Sequence, residues 1–385
     1  MDKVVLKGIT WDHSRGIVPL QAAAQRFNEL HPNVQVLWEK RSLQAFADYS
    51  IEKLTETYDL LIIDHPWVGS ASVTNCVLPL DEYLPETFLN ELKEHSVGAS
   101  HNSYAYDGKQ WALAIDAATP VASMRADLLN QEQIPVPQTW EEVMSIAERG
   151  KAAAPAIPID LLMNFYTFCR ADGGSLFRDG EVIDAVTGAT ALATMKEFYS
   201  LLNPHFFSMN PIAVAEAMSN SDDYWYCPFA YGYSNYSRRH YSKELLTYTN
   251  VVSFNGQPLQ TTLGGTGIAV SAHGRYQSVA VDFAQFVCAP GWQGTEYILT
   301  GGQPGYDFGY EDAMNNQVSN GFFKNTRRTL EQAYVRPRYH GYLHFQDAGG
   351  FYIQEYLKGN NRSPQMVLAK LNMLYEESLK SELTL

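Results

Sequence analysis

Val4-Val5-Leu6-Lys7-Gly8-Ile9-Thr10 runs into Trp11-Asp12-His13-Ser14-Arg15, and Asp59-Leu60-Leu61-Ile62-Ile63 runs into Asp64-His65-Pro66-Trp67. Each is a short apolar run, strand-like by length and composition, that stops at a Trp, an Asp and a His. Core strands usually give way to Gly, Asn or Pro, not to an aromatic and two ionisable groups. In open parallel sheets, ligands bind beyond the carboxyl ends of the strands. Two such ends with the same residue types point to one polar, aromatic-walled site fed by adjacent strands. The plainer alternative is that each Trp caps the core and each Asp starts the next helix.

The pattern around these runs is β-α-β-α-β. Leu20, Ala23, Ala24, Phe27 and Leu30 recur at helical spacing, Val34-Gln35-Val36-Leu37-Trp38 reads as a strand, and Phe46, Ala47, Ile51, Leu54 and Tyr58 form a second helical face. That order implies a parallel sheet with right-handed crossovers. Farther on, Tyr106-Asp107-Gly108-Lys109-Gln110-Trp111 is a turn between strand-like flanks, and Ala112 to Ala122 is an apolar extended stretch suited to crossing between lobes. Thr139 and Glu142 form a capping box, and Ser363-Pro364 opens a last helix through Val367, Leu368, Leu371, Leu374 and Tyr375. Asp222 to Tyr241 is dense in aromatics.

At 385 residues with 45% hydrophobic content, the chain is long enough for two well-filled domains. A net charge of -14 without a basic cluster argues against nucleic acid or an anionic membrane as partner. No apolar run is long enough to insert in a bilayer. The chain opens on Met1-Asp2-Lys3 without a secretory signal, so either a signal was replaced by a start Met or the protein stays in the cytoplasm. Cys76, Cys169, Cys227 and Cys288 lack metal-site or redox spacing and read as buried free thiols.

Tyr106-Asp107-Gly108-Lys109-Gln110-Trp111-Ala112-Leu113 with Asp116, Arg125-Ala126-Asp127-Leu128-Leu129, Pro135-Val136-Pro137-Gln138-Thr139-Trp140-Glu141-Glu142, Gly264-Gly265-Thr266-Gly267-Ile268-Ala269-Val270-Ser271 and Gly301-Gly302-Gln303-Pro304 occur in one order along the chain. In that order the sequence resembles the bacterial solute-binding proteins of ABC importers, in the carbohydrate-type group that includes maltose-binding protein. The resemblance implies two α/β lobes joined by a hinge, each a mainly parallel sheet flanked by helices. By family pattern lobe 1 holds 1–118 plus 263–305, and lobe 2 holds 119–262 plus 306–385. It further implies a small-molecule ligand clamped between the lobes and delivered to the importer's membrane subunits, by a monomer working in the periplasm or outside the cell; cytoplasmic residence is the alternative.

Sugar recognition needs flat aromatic faces and groups that accept from several hydroxyls. Trp11, Trp67, Trp225 and Tyr226 are the candidate platforms; Asp12, Asp64 and Asp116 are the candidate acceptors. Tyr231, Gly265 and Thr266 complete the set. An anionic solute such as an organic acid is the competing ligand, gripped by His13, Arg15, Arg41 and His65. Trp38, Trp111, Trp140 and Trp292 are assigned to the core. A metal site from Asp12, His13, Asp64 and His65 is chemically possible, but no local spacing supports it, and no cofactor is expected. The glycine turn Gly264–Gly267 fits neither phosphate loop, and no nucleophile elbow is present. A carbohydrate-active enzyme using two of the three aspartates stays open as the rival from another class.

Overall fold

A computed structural model describes residues 3–42, 51–171, 173–360 and 362–380. Phe46 and Ala47, two of the five residues of the second helical face expected above, lie outside the described residues. The chain forms two compact units: 1–118 with 264–318 and 338–340, and 119–263 with 319–337 and 341–385. Eight strands organise them: β1 (Val4–Trp11), β2 (Val34–Arg41), β3 (Leu60–Ile63), β4 (Leu113–Ala118), β5 (Pro120–Met124), β6 (Tyr226–Tyr231), β7 (Thr247–Thr249) and β8 (Gly264–Val270).

The first unit is built on a sheet of order β2-β1-β3-β8-β4. β1 runs parallel to β2 and β3, whereas β8 is antiparallel to both β3 and β4. The continuous run Leu60-Leu61-Ile62-Ile63 is buried throughout, as a central strand covered on both faces requires. Burying each of these side chains is worth about 1.5 to 3 kcal/mol. Leu20, Ala23, Ala24 and Phe27 of the helix Ser14–Leu30 pack into the same core, while Leu30, expected on that face, is 49% exposed at the helix end. Trp111 is core, and Trp38 and Trp292 are partly buried against it. The turn after Tyr106 is a tight one, with positive φ at Asp107 and Gly108, and it joins two short paired strands.

In the second unit β5 lies between β6 and β7 and is antiparallel to both. The expectation of a mainly parallel sheet in each lobe is therefore corrected. The first sheet is mixed because β8 enters from the opposite direction, and the second is antiparallel in its described strands. Helices pack around β5, β6 and β7. The predicted capping box is present, with Thr139 Oγ1 accepting from the Glu142 amide and Glu142 accepting from the Thr139 amide, and Trp140 is buried behind it. The last helix, Pro364–Lys380, starts as expected on Ser363.

The boundary expected at residue 305 also shifts. Residues 306–318 belong with the first unit, where Tyr306 and Tyr310 are buried and the Asp307 amide donates to the His95 carbonyl. Residues 338–340 join it too: Arg338 donates to the carbonyls of Asn102, Ser103 and Ala105 at 2.8, 3.2 and 2.7 Å. Hydrogen bonds to backbone carbonyls of this kind carry no apolar signature in sequence.

All four cysteines are buried free thiols, Cys76 and Cys288 in the first unit and Cys169 and Cys227 in the second. Burial pushes the Cys227 thiol up to about 12.

Close packing gives a test of the second unit. A Cβ at Gly350, in the helix Tyr342–Leu357, would lie 2.0 Å from the Pro158 carbonyl oxygen, whereas one at Gly291 would meet nothing within 4 Å. Gly350→Ala should cost about 1 to 3 kcal/mol of stability, and Gly291→Ala should be neutral or slightly stabilising. Chemical denaturation of both variants checks this; equal stability would show that the helix Tyr342–Leu357 moves off Pro158 without cost.

Candidate functional site

Because β1, β2, β3 and β4 run the same way and β8 runs against them, the carboxyl ends of four strands and the start of the fifth collect along one edge of the first sheet. Register makes this explicit: Trp11 pairs with Arg41, Gly267 with Ile63, Thr266 with Asp116, and Gly264 with Ala118. Trp11, Asp12, His13, Arg41, Asp64, Asp116, Gly265 and Thr266 thus share one edge, with His65 and Trp67 in the turn that follows β3.

The chemistry along this edge differs in part from the expectation. His13, not Asp12, caps the helix Ser14–Leu30: its Nδ1 accepts from the Arg15 amide at 3.0 Å. Burial, reinforced by the positive Arg15 and opposed by Asp12, lowers its pKa to about 4, so the ring is neutral at pH 7. Asp12 points outward and pairs with Lys40 at 2.7 Å, both about half exposed. Asp64 caps the single turn His65–Trp67, accepting from the His65 amide at 2.8 Å. His65 is buried beside Tyr104, edge to face, with Nδ1 3.3 Å from the Asp64 carboxylate.

Arg15 was expected to grip an anionic ligand. Instead its Nε donates to Asp116 Oδ2 at 2.9 Å and its Nη2 donates to Asp116 Oδ1, with both side chains buried. Each charge is answered by the other. Trp11 is 4% exposed and belongs to the core cluster, its indole lying where a Cβ on Gly16 would stand 2.5 Å from the ring. Trp67 is half-buried against the same core. Arg41 is partly buried, and desolvation lowers its pKa. Gly265 holds φ +93° and sits so close to β4 that a Cβ would meet the Asp116 carbonyl oxygen at 2.3 Å. Only glycine fits there. Sequence reading missed Tyr104, whose hydroxyl donates to the Ile63 carbonyl at 3.4 Å.

In the second unit the expected residues do not come together. Tyr226 is fully buried in the core and is no platform. Trp225 is partly exposed, with Lys151 5.0 Å above its ring. Tyr231 ends β6, opposite Pro120, whereas Trp225 precedes its first residue. At strand rise the two stand about 20 Å apart. Around Tyr231 lies a hydroxyl cluster that sequence reading missed: Tyr231 to Thr262 at 2.9 Å, and Thr119 to Thr261 at 2.7 Å. Single threonines in strands carry no signal that they will meet.

Among the described residues no three His, Cys, Asp or Glu side chains are placed to hold a metal ion. No helix among them is long and apolar enough to cross a membrane.

Residues 12–294 match the family described as bacterial extracellular solute-binding protein. The chain belongs to that family. Solved structures agree on the fold. A maltose-bound MalE3 of T. maritima superposes with TM-score 0.83 at 15% identity, covering 98% of this chain and 100% of that one. The GacH receptor of Streptomyces glaucescens, solved unliganded and with acarbose, gives 0.81 at 16% identity over 99% of each chain. A ribitol-bound ABC transporter solute-binding protein of Agrobacterium radiobacter gives 0.78 at 20% identity, over 98% and 99%.

Two predictions test this solute-binding protein. The depressed His13 pKa means that the unfolded chain binds more protons between pH 4 and 6.5. Stability should therefore drop as pH is lowered from 6.5 to 4, by about 3 kcal/mol from this residue. His13→Asn keeps a capping acceptor and should flatten that part of the pH profile in thermal melts; an unchanged profile would place the titration elsewhere. Removing one partner of the buried pair by Arg15→Ala should cost about 3 to 5 kcal/mol in denaturation. A loss below about 1 kcal/mol would mean that the pair is solvated.

Proposed function

We propose that this protein captures a neutral, oxygen-rich small molecule, a sugar or polyol, and hands it to the membrane subunits of an ABC importer. The observation that carries the reading is the mutual neutralisation of Arg15 and Asp116 at the strand-end edge. With that pair satisfied and His13 neutral, the edge offers the half-buried indole of Trp67, the Asp64 carboxylate, backbone at Gly265 and the Thr266 hydroxyl. Such a set suits stacking on C–H faces and hydrogen bonds to hydroxyls better than it suits a carboxylate. Relatives of the same fold bound to maltose, acarbose and ribitol lend support.

The same observation weighs against catalysis. Asp116 is tied to Arg15, Asp64 caps a turn and Asp12 faces Lys40, so each of the three candidate aspartates already has a partner or a capping role. The protein acts as a monomer outside the cytoplasmic membrane, without cofactor or nucleic-acid partner.

Thermal-shift screening and calorimetry against maltose, ribitol, D-mannitol, malate and citrate test this, since a tight ligand raises apparent stability by mass action. A sugar or polyol should give the largest shift, with affinity nearly constant from about 0.05 to 0.5 M salt. A salt-sensitive response to the acids alone would overturn the reading, as would turnover of an aryl glycoside lost in Asp64→Asn.

A further inference from the structure

Thr266 is 8% exposed, and its Oγ1 has no hydrogen-bond partner. A buried hydroxyl left so costs about 1 to 3 kcal/mol, and native proteins seldom tolerate it without a reason. Valine has the same shape without that cost, and the neighbouring strand positions Ile268, Ala269 and Val270 are apolar. The register shifts directly after this residue, between Thr266 and Gly267, so that Thr266 stays opposite Asp116 while Gly267 falls opposite Ala114. Cross-strand partners project from the same face, with Cβ atoms about 5 Å apart. Thr266 therefore projects from the same face of the sheet as Asp116, the residue that pairs with Arg15.

That neighbourhood defines what the hydroxyl accommodates. An anion placed there meets Asp116, and a cation meets Arg15. Backbone at Gly265 approaches too closely to admit a side chain. A neutral hydroxyl, able to donate and accept, fits both the charge balance and the two-way capacity of threonine. We propose that Thr266 is a specificity-determining contact of the solute site, taking one neutral hydroxyl of the solute, and that the Arg15–Asp116 pair acts behind it as a positioning element. The identity of that solute group rests on the sugar or polyol reading; the assignment of Thr266 to a ligand rests on its own orphaned hydroxyl.

Two variants separate the possibilities. Thr266→Val keeps shape and removes the hydroxyl, and Thr266→Ser keeps the hydroxyl. Calorimetry with maltose, ribitol and D-mannitol should show affinity lowered about 10- to 100-fold in T266V and within about threefold of wild type in T266S. Without any solute, T266V should melt at the wild-type temperature or a few degrees above it, because an unpaired buried polar group has been removed. Wild-type affinity in T266V overturns the assignment. So does a lower melting temperature of unliganded T266V, which would mark the hydroxyl as a structural partner. If wild-type protein binds none of the three probes, the sugar reading fails, and the melting comparison alone decides whether Thr266 is held ready for another solute.

Discussion

Everything at the candidate site depends on one strand running the wrong way. β8 enters the first sheet between β3 and β4, antiparallel to both, from a part of the sequence far beyond either. Its insertion pairs with both neighbours and sets Thr266 opposite Asp116. It also brings Gly265 against the β4 backbone and buries Ile268, Ala269 and Val270 in the shared core. Without it, β4 has no partner in this sheet and Asp116 has no fixed position from which to meet Arg15.

The ion pair that results is an energetic commitment as well as a positioning device. Two charges withdrawn from water repay their desolvation only when geometry is good and both ends are answered. Here a two-pronged guanidinium–carboxylate contact ties the first turn of the helix Ser14–Leu30 to the far strand of the sheet. The consequence for recognition is subtraction. The charges of Arg15 and Asp116 cancel each other, which is the basis of the proposal that the edge takes a neutral solute. His13 adds to the same effect, since burial and the neighbouring guanidinium keep its ring uncharged while its Nδ1 serves the helix.

The edge on which the candidate residues gather was legible before any coordinates. Runs such as Leu60–Ile63 are too apolar and too short for anything but a central strand, and polar residues placed directly after them must sit at the sheet's end. The repeated Trp, Asp and His endings do lie along one edge of the first sheet, and Thr139 with Glu142 marked a helix start that the structure contains. The roles within that edge were less legible. Asp12 and Asp64 look alike in sequence, yet one is a solvated partner of Lys40 and the other caps a turn. Tyr226 and Tyr231 belong to one aromatic-rich run, yet one is core and the other joins a threonine cluster at the strand's end.

Local patterning, then, was enough to establish strands, helix starts, α/β class, kinship with solute-binding proteins and the edge on which polar residues gather, because periodicity and capping act over a few residues. Folding in three dimensions was needed for β8's direction, the Arg15–Asp116 pair, the joining of 306–318 and 338–340 to the first unit and the solitary Thr266 hydroxyl. Each depends on which distant segments become neighbours. That choice is made by completion of backbone hydrogen bonds and by close packing across the whole unit, and neither leaves a mark on any single stretch of residues.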